Sequence, residues 1–218
     1  MALAIFDLDN TLLSGDSDYL WGVFLAEQGV VDGEFYEREN QRFYDEYKAG
    51  CLDINEFLRF SLSVLKVNDP QQMRKLRARY IAEKIEPIIS RSALDLVESH
   101  RKAGDTLMII TATNAFVTEP IAAKFGIPHL IATDPEMVDG KYTGEVAGIP
   151  SFQQGKVKRL EEWLAENGGD LSGSTFYSDS HNDLPLLEKV DKAVAVDPDD
   201  VLRKMAGERG WTVISLRQ

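Results

Sequence analysis

From about residue 88 onward, short apolar runs alternate with longer stretches whose apolar positions recur at helical spacing. Residues 107–110, 129–132, 175–177, 193–196 and 211–216 read as strands. Before and between them, 92–102, 116–125, 154–167, 183–188 and 199–209 read as helices. Apolar strands separated by amphipathic helices predict an α/β fold, a doubly wound parallel sheet with crossover helices on its faces. Residues 2–6 add one more strand at the amino end, and 137–142 read as a hairpin turning at Asp139-Gly140.

Between the first strand and residue 88 the period is helical throughout. Segments 16–28, 32–48, 53–66 and 70–86 are punctuated by Gly29, Gly50, Asn68-Asp69-Pro70 and Pro87. Asp32 precedes an acidic first turn, Asp53 with Glu56 forms a capping-box-like pair, and Asp69 caps a helix that opens on proline. Eleven of the twenty aromatic residues fall in this insertion. Most are expected to be the core of a small helical layer, with one or two facing a ligand. The predicted organisation is a core of 1–15 and 88–218 with a helical domain, 16–87, inserted.

Chemistry enters at two strand ends. Asp7 and Asp9 follow the first strand; Asp179 and Asp183 follow the strand at 175–177. A lone Asp-x-Asp is commonly a turn or a cap. Two acidic groups at the carboxyl ends of two strands instead lie where open α/β sheets place their ligand crevice. Crowded carboxylates call for a hard cation, and Mg²⁺, which takes oxygen ligands and keeps several waters, is the expected one. One carboxylate is then available to attack phosphorus, and its neighbour to move a proton. Lys156 precedes Leu160 and Leu164 by one and two turns and so points inward. It either snorkels to water or, beside four acids, stabilises phosphoryl oxygens.

These residues carry a resemblance. Asp7, Asp9 and Thr11 match the Asp-x-Asp-x-Thr motif of the haloacid dehalogenase superfamily of phosphatases, and the chain resembles its phosphoserine-phosphatase-like branch. Thr111 ending an apolar strand, Lys156 opening a helix, and Asp179 with Asp183 match the remaining three motifs in order. The resemblance implies that Asp7 is nucleophile and metal ligand. Asp9 is then the general acid/base and binds metal through its backbone carbonyl, Thr111 and Lys156 hold phosphate oxygens, Asp179 is a ligand and Asp183 supports it. It also implies that the insertion is a cap over the crevice. Ser178 stands where the family usually has glycine, and Ala112-Thr113 replaces a frequent Gly-Gly.

Substrate-binding positions on the same resemblance are Thr11, Asp16, Asn114 and Arg59. Asp16 either caps a helix or meets a substrate amine, and Asn114 either caps the helix from 115 or reaches the site. In the cap helix Arg59 is present, but Ser61 takes the place of the arginine that grips a carboxylate. His181 reads as a solvent-facing loop residue, and His100 and His129 as structural.

Composition narrows the rest. Thirty-six acidic against twenty-four basic residues give a net charge of −12, which repels nucleic acid, so a phosphate must be attracted locally. A single cysteine, Cys51, fits a reducing cytoplasm, and no apolar run approaches a membrane span, so a soluble cytoplasmic protein is expected. The function read from the chain is a Mg²⁺-dependent phosphomonoesterase for a small amine-bearing ester such as histidinol phosphate, with a small-molecule phosphate ester as partner and neither nucleic acid nor membrane. Phosphoserine is the enzymatic alternative. A receiver-like phospho-switch or a phospholigand-binding module is the non-enzymatic one.

Overall fold

The computed structural model describes residues 2–217. Strand β1 (Leu3–Phe6) leads through a tight loop into four helices, α1 (Ser17–Glu27), α2 (Gly33–Lys48), α3 (Ile54–Val67) and α4 (Pro70–Tyr80). The chain then alternates through α5 (Arg91–Ala103), β2 (Thr106–Asn114), α6 (Ala115–Phe125) and β3 (His129–Thr133), and makes a hairpin of β4 (Pro135–Val138) and β5 (Lys141–Val146). It continues through α7 (Gln154–Asn167), β6 (Thr175–Ser178), α8 (Leu184–Leu187), β7 (Lys192–Val196), α9 (Asp200–Arg209) and β8 (Thr212–Ile214).

Six parallel strands form one sheet in the order β3-β2-β1-β6-β7-β8. The strand order reverses between β1 and β6, which makes their carboxyl ends the switch point of a doubly wound sheet. Phe6 pairs with Ile109 and Tyr177, so the residues that follow each of these strands emerge together at one edge. Alternation along β1 sends Ile5 to one buried cluster, with Met108 and Phe176, and Phe6 to another, with Ile109 and Tyr177.

The aromatic residues of the insertion do not form a separate core. Trp21, Phe24, Met73 and Tyr80 are buried in the same cluster as Phe6 and Ile109, and Trp21 lies 6.0 Å from the Phe116 ring of α6. Helices α2 and α3 build an outer aromatic contact of their own, with Phe43 5.3 Å from Phe57 and Tyr36 4.5 Å from Phe60. The caps at Asp32, Asp53 and Asp69 accept backbone N–H bonds as the sequence predicts. The helix expected over 70–86 ends at Tyr80 and continues as a widened turn, Ile81–Ile85, into Glu86–Ile88. Pro87, which lacks an N–H and crowds the preceding turn, sits in the first turn of that last segment. Strand β2 runs to Asn114, well past the expected end at 110. Asp139 and Gly140 both adopt positive φ, as a two-residue hairpin turn requires.

Candidate active site

Asp7 follows β1 and is 5 % exposed. Its Oδ1 accepts from Lys156 Nζ at 2.8 Å, and the same ammonium lies 2.7 Å from Asp183 Oδ1. Lys156 reaches this position from the first turn of α7, where Gly155 packs so tightly that a Cβ would sit 2.0 Å from the Pro150 carbonyl oxygen. Thr11 Oγ1 stands 3.2 Å from Asp7 Oδ2 and 3.1 Å from Asp179 Oδ1, and accepts the Asp179 N–H at 3.0 Å. Its one proton can serve only one carboxylate at a time. Ser178 Oγ donates to Asp183 Oδ2 at 2.7 Å.

Electrostatics follows from this crowding. Burial, opposed by Lys156 but reinforced by Asp183 and Asp9, pushes the Asp7 carboxyl up to about 7. Burial, Asp7 and Asp183 hold Asp179 well above the usual carboxylate range. Burial alone would lower Lys156, yet Asp183 and Asp7 outweigh it and keep the ammonium charged. Asp9 is held differently. Its Oδ1 accepts the Ser17 N–H at 2.6 Å and its Oδ2 the Thr113 hydroxyl at 2.7 Å, with the Thr111 hydroxyl at 3.4 Å. Burial and Asp16 raise it to about 6 against the lowering effect of the Ser17 and Thr113 donors. A carboxyl poised there is suited to give a proton and take one back near neutral pH.

With Asp183 engaged by Lys156 and Ser178, the acids that meet across Thr11 are Asp7 and Asp179. Among the described residues no three acid, histidine or cysteine side chains converge as a ligand set. Two carboxylates suit a hard cation that keeps several waters, and such a cation would relieve the charge that raises both acids.

Over these residues opens a cleft of about 760 Å³, part of it continuous with solvent. Asp7, Asp9, Thr111, Thr113 and Lys156 form its floor at the sheet edge. Asp16, Asp18, Tyr19 and Asn40 form one wall, and Phe43, Tyr44, Tyr47, Phe57 and Phe152 line the rest with aromatic surface. Among the described residues, Lys156 is the only basic side chain on its lining.

The structure thus brings Asp7, Asp9, Thr111, Lys156, Asp179 and Asp183 together. Thr11 lies beneath the acids and joins two of them; it is not on the cleft wall. Asp16 caps α1, its Oδ1 accepting the Asp18 and Tyr19 N–H groups at 2.9 Å each, and it also lines the cleft. Asn114 is the cap of α6, accepting the Val117 N–H at 3.2 Å, and does not line the cleft. Arg59 is placed elsewhere. It is exposed and borders a separate shallow hollow with Gly144 and Pro150, because its position on α3 faces β5 rather than the sheet edge. His181 is not free in solvent: its Nδ1 and backbone N–H both meet Asp199 Oδ2 at 2.8 Å, and its ring abuts Gly50 of the insertion. Sequence reasoning missed Thr113 as a partner of Asp9. The signal was available, since Thr111 and Thr113 lie two apart on β2 and so share a side. It also missed Asp18, Asn40 and Phe152, which only the tertiary fold brings to the cleft.

A family model for haloacid dehalogenase-like hydrolases matches residues 4–188. The chain belongs to this family, and it is a phosphatase by that membership and by the relatives it resembles. It is 46 % identical over 219 residues to a histidinol-phosphatase of Neisseria meningitidis serogroup C (strain 8013), covering 99 % of each chain. A crystal structure of a protein of unknown function from Bordetella pertussis Tohama I superposes with a TM-score of 0.93 at 45 % identity, over 99 % of this chain and 98 % of that one. A substrate-bound phosphoserine phosphatase structure superposes with a TM-score of 0.73 at 20 % identity, over 100 % of this chain and 93 % of that one, a likeness of fold. Among the described residues no helix is long and apolar enough to cross a membrane.

Proposed function

We propose that this phosphatase hydrolyses a small, amine-bearing phosphate monoester that lacks a carboxylate, of the histidinol phosphate kind, with Mg²⁺ as cofactor and an aspartyl-phosphate as intermediate. The observation that carries the substrate reading is the lining of the cleft. Among the described residues no basic side chain beyond Lys156, which is held by Asp7 and Asp183, lines the cleft to meet a substrate carboxylate, while two acids and six aromatic rings on the lining suit a cationic, planar group. The similarity to a histidinol-phosphatase over the full chain supports the same reading.

In this mechanism Asp7 attacks phosphorus, and the bond to the ester oxygen breaks as that oxygen takes the proton of Asp9. Water then attacks the aspartyl-phosphate, giving its proton to Asp9 and releasing phosphate and free Asp7. Lys156 and the Thr111 hydroxyl hold the phosphoryl oxygens, and the aromatic walls limit water around them. Asp7, Asp179 and the Asp9 carbonyl would hold Mg²⁺, which neutralises phosphoryl charge when bound.

The test is phosphate release from histidinol phosphate, phosphoserine and simple alkyl phosphates, with Mg²⁺ or with chelator. Turnover is expected only with Mg²⁺ and highest kcat/KM for histidinol phosphate. Asp7→Asn should abolish it, and Asp9→Asn should reduce kcat by about 10²- to 10⁴-fold. Stoichiometric phosphorylation without turnover would instead mark a receiver-like switch, and a preference for phosphoserine would overturn the substrate reading.

A further inference from the structure

The geometry points to Tyr47, at the carboxyl end of α2, as a further catalytic residue: its hydroxyl donates to an oxygen of the transferring phosphoryl group, so the insertion touches the reacting group itself. This rests on the mechanism proposed above, which puts phosphorus at Asp7, and not on which alcohol is esterified. Tyr47 lines the cleft. The loop that carries the acids fixes it there, because its backbone carbonyl accepts at 3.1 Å from Nδ2 of Asn182, the residue before Asp183. Gly50, whose N–H also bonds the Tyr47 carbonyl, packs so close to His181 that a Cβ would sit 2.8 Å from Nε2. The Tyr47 ring tilts against Phe152, 6.2 Å between centroids, on the segment that leads into Lys156. One tyrosine is thus held by neighbours of both partners in the Lys156–Asp183 ion pair.

The hydroxyl has a proton to give. Its neighbour is the buried Ser180 hydroxyl, whose Oγ already accepts the Asn182 N–H at 3.2 Å and Nδ2 at 3.3 Å, so the bond Ser180 can add toward Tyr47 is the one it donates. A phenol oxygen that accepts this bond keeps its own proton for a ligand. Burial, then the charges of Asp179, Asp183 and Asp7, holds the Tyr47 phenol well above its usual range, so it stands beside these acids and remains protonated. The ligand needs such a donor. Charge spreads over all the equatorial oxygens of a transferring phosphoryl group. From the floor Lys156 and Thr111 can serve them, while the Thr113 hydroxyl is already given to Asp9. An oxygen turned toward the insertion meets the side lined by Tyr19, Tyr44 and Tyr47. Tyr19 and Tyr44 lie against each other, 5.7 Å apart, with the Lys48 ammonium over the Tyr44 ring. Tyr47 is the one bonded to the acid loop, and a donor fixed before the substrate arrives needs no reorganisation when charge develops.

The experiment compares wild type, Tyr47→Phe and Asp7→Asn, each intact and with Mg²⁺, on histidinol phosphate, phosphoserine, a simple alkyl phosphate and p-nitrophenyl phosphate. Inhibition by orthovanadate, which mimics pentacoordinate phosphorus, is measured alongside. Tyr47→Phe keeps the ring and the backbone bond and removes only the hydroxyl. It should lower kcat/KM about 10- to 100-fold, by the same factor within about threefold for every ester that wild type hydrolyses, and should weaken vanadate inhibition by a similar factor. Its melting transition and the Mg²⁺ concentration giving half-maximal rate should not move. Values of kcat/KM within about threefold of wild type on all esters would overturn the inference. So would a loss that varies widely among esters while vanadate inhibition is intact, which would assign Tyr47 to the alcohol. A loss accompanied by a lowered melting transition and a raised Mg²⁺ requirement would assign it to seating the acid loop and overturn the inference as well. Each of these results, with Asp7→Asn inactive, leaves the mechanism standing; turnover that survives Asp7→Asn would overturn both.

Discussion

Replacing Asp7, the proposed nucleophile, should make the metal-free protein more stable. The Asp7 carboxyl is raised from 3.8 to about 7, chiefly by burial. Its ionised form is therefore disfavoured in the folded state relative to the unfolded chain. Folded and unfolded forms are equally protonated below about pH 3.8, so no penalty exists there. Between 3.8 and about 7 the folded state binds the extra proton, and stability falls as pH rises through that window. Above it the penalty is complete: a shift of about 3 units at 1.36 kcal/mol each gives on the order of 4 kcal/mol, and partial relaxation of the site brings the expected value to about 2–4 kcal/mol. Asn has the same shape, can still accept from Thr11 and Lys156, and carries no charge.

At about 2–4 °C per kcal/mol for a chain of this size, Asp7→Asn should melt roughly 4–16 °C above wild type in chelator at pH 8. The gap should close as pH is lowered toward 4. Mg²⁺ should narrow the gap, because wild type gains about 2.7 kcal/mol at a hundredfold excess over its dissociation constant and the variant, missing a proposed ligand, gains less. Thermal melts by circular dichroism at pH 4, 6 and 8, with chelator and with Mg²⁺, decide the matter. An Asp7→Asn protein that melts below wild type in chelator at pH 8, or a gap that does not vary with pH, refutes the reasoning.

Two further outcomes follow from neighbouring contacts. Thr113→Val removes the 2.7 Å hydroxyl donor that helps lower Asp9, so the Asp9 pKa rises by about 0.4–1 unit for a bond of 0.5–1.5 kcal/mol. Because in the proposed mechanism Asp9 must hold its proton to protonate the leaving oxygen, the alkaline limb of the kcat/KM profile should move to higher pH; a limb that stays or moves down would count against the role of Thr113. Gly155→Ala would place a methyl group 2.0 Å from the Pro150 carbonyl oxygen, backbone that must shift and take the first turn of α7 with it. It should cost about 1–3 kcal/mol in chemical denaturation and reduce kcat through displacement of Lys156, whereas wild-type stability and rate would show that the loop yields freely.

What the sequence made legible was whatever depends on strand ends. Apolar β1 and β6 with acids just beyond them identify the crevice, because the sheet's geometry fixes where a residue after a parallel strand must emerge. Lys156 was legible for a similar reason, since helical period alone turns it inward. Arg59 was not, because matching a helix by spacing says nothing about which neighbour its face meets, and α3 turns that arginine toward the hairpin. His181 was misplaced for the converse reason. A polar residue in an acidic loop looks solvated until the fold sets Gly50 against its ring and Asp199 against its Nδ1. Most aromatic residues of the insertion were correctly counted as buried material, but composition cannot tell whether Trp21 packs on its own layer alone or also on Phe116 of α6.

That last point changes how the two parts divide the chemistry. A scheme in which the sheet performs the reaction and the insertion only selects the substrate would place every determinant of the acid/base group on the sheet side. Asp9 does not obey it. The Thr113 hydroxyl comes from β2, but the shorter bond, 2.6 Å to Oδ1, comes from the Ser17 N–H at the start of α1. Asp16, which raises Asp9, sits on the same turn. The proton affinity of Asp9, the proposed acid, is therefore set partly by the first turn of the insertion, the turn that also carries Asp18. A displacement of α1 would remove a lowering donor and a raising charge together, so the proton-transfer group and the substrate wall are tuned by one short segment of chain.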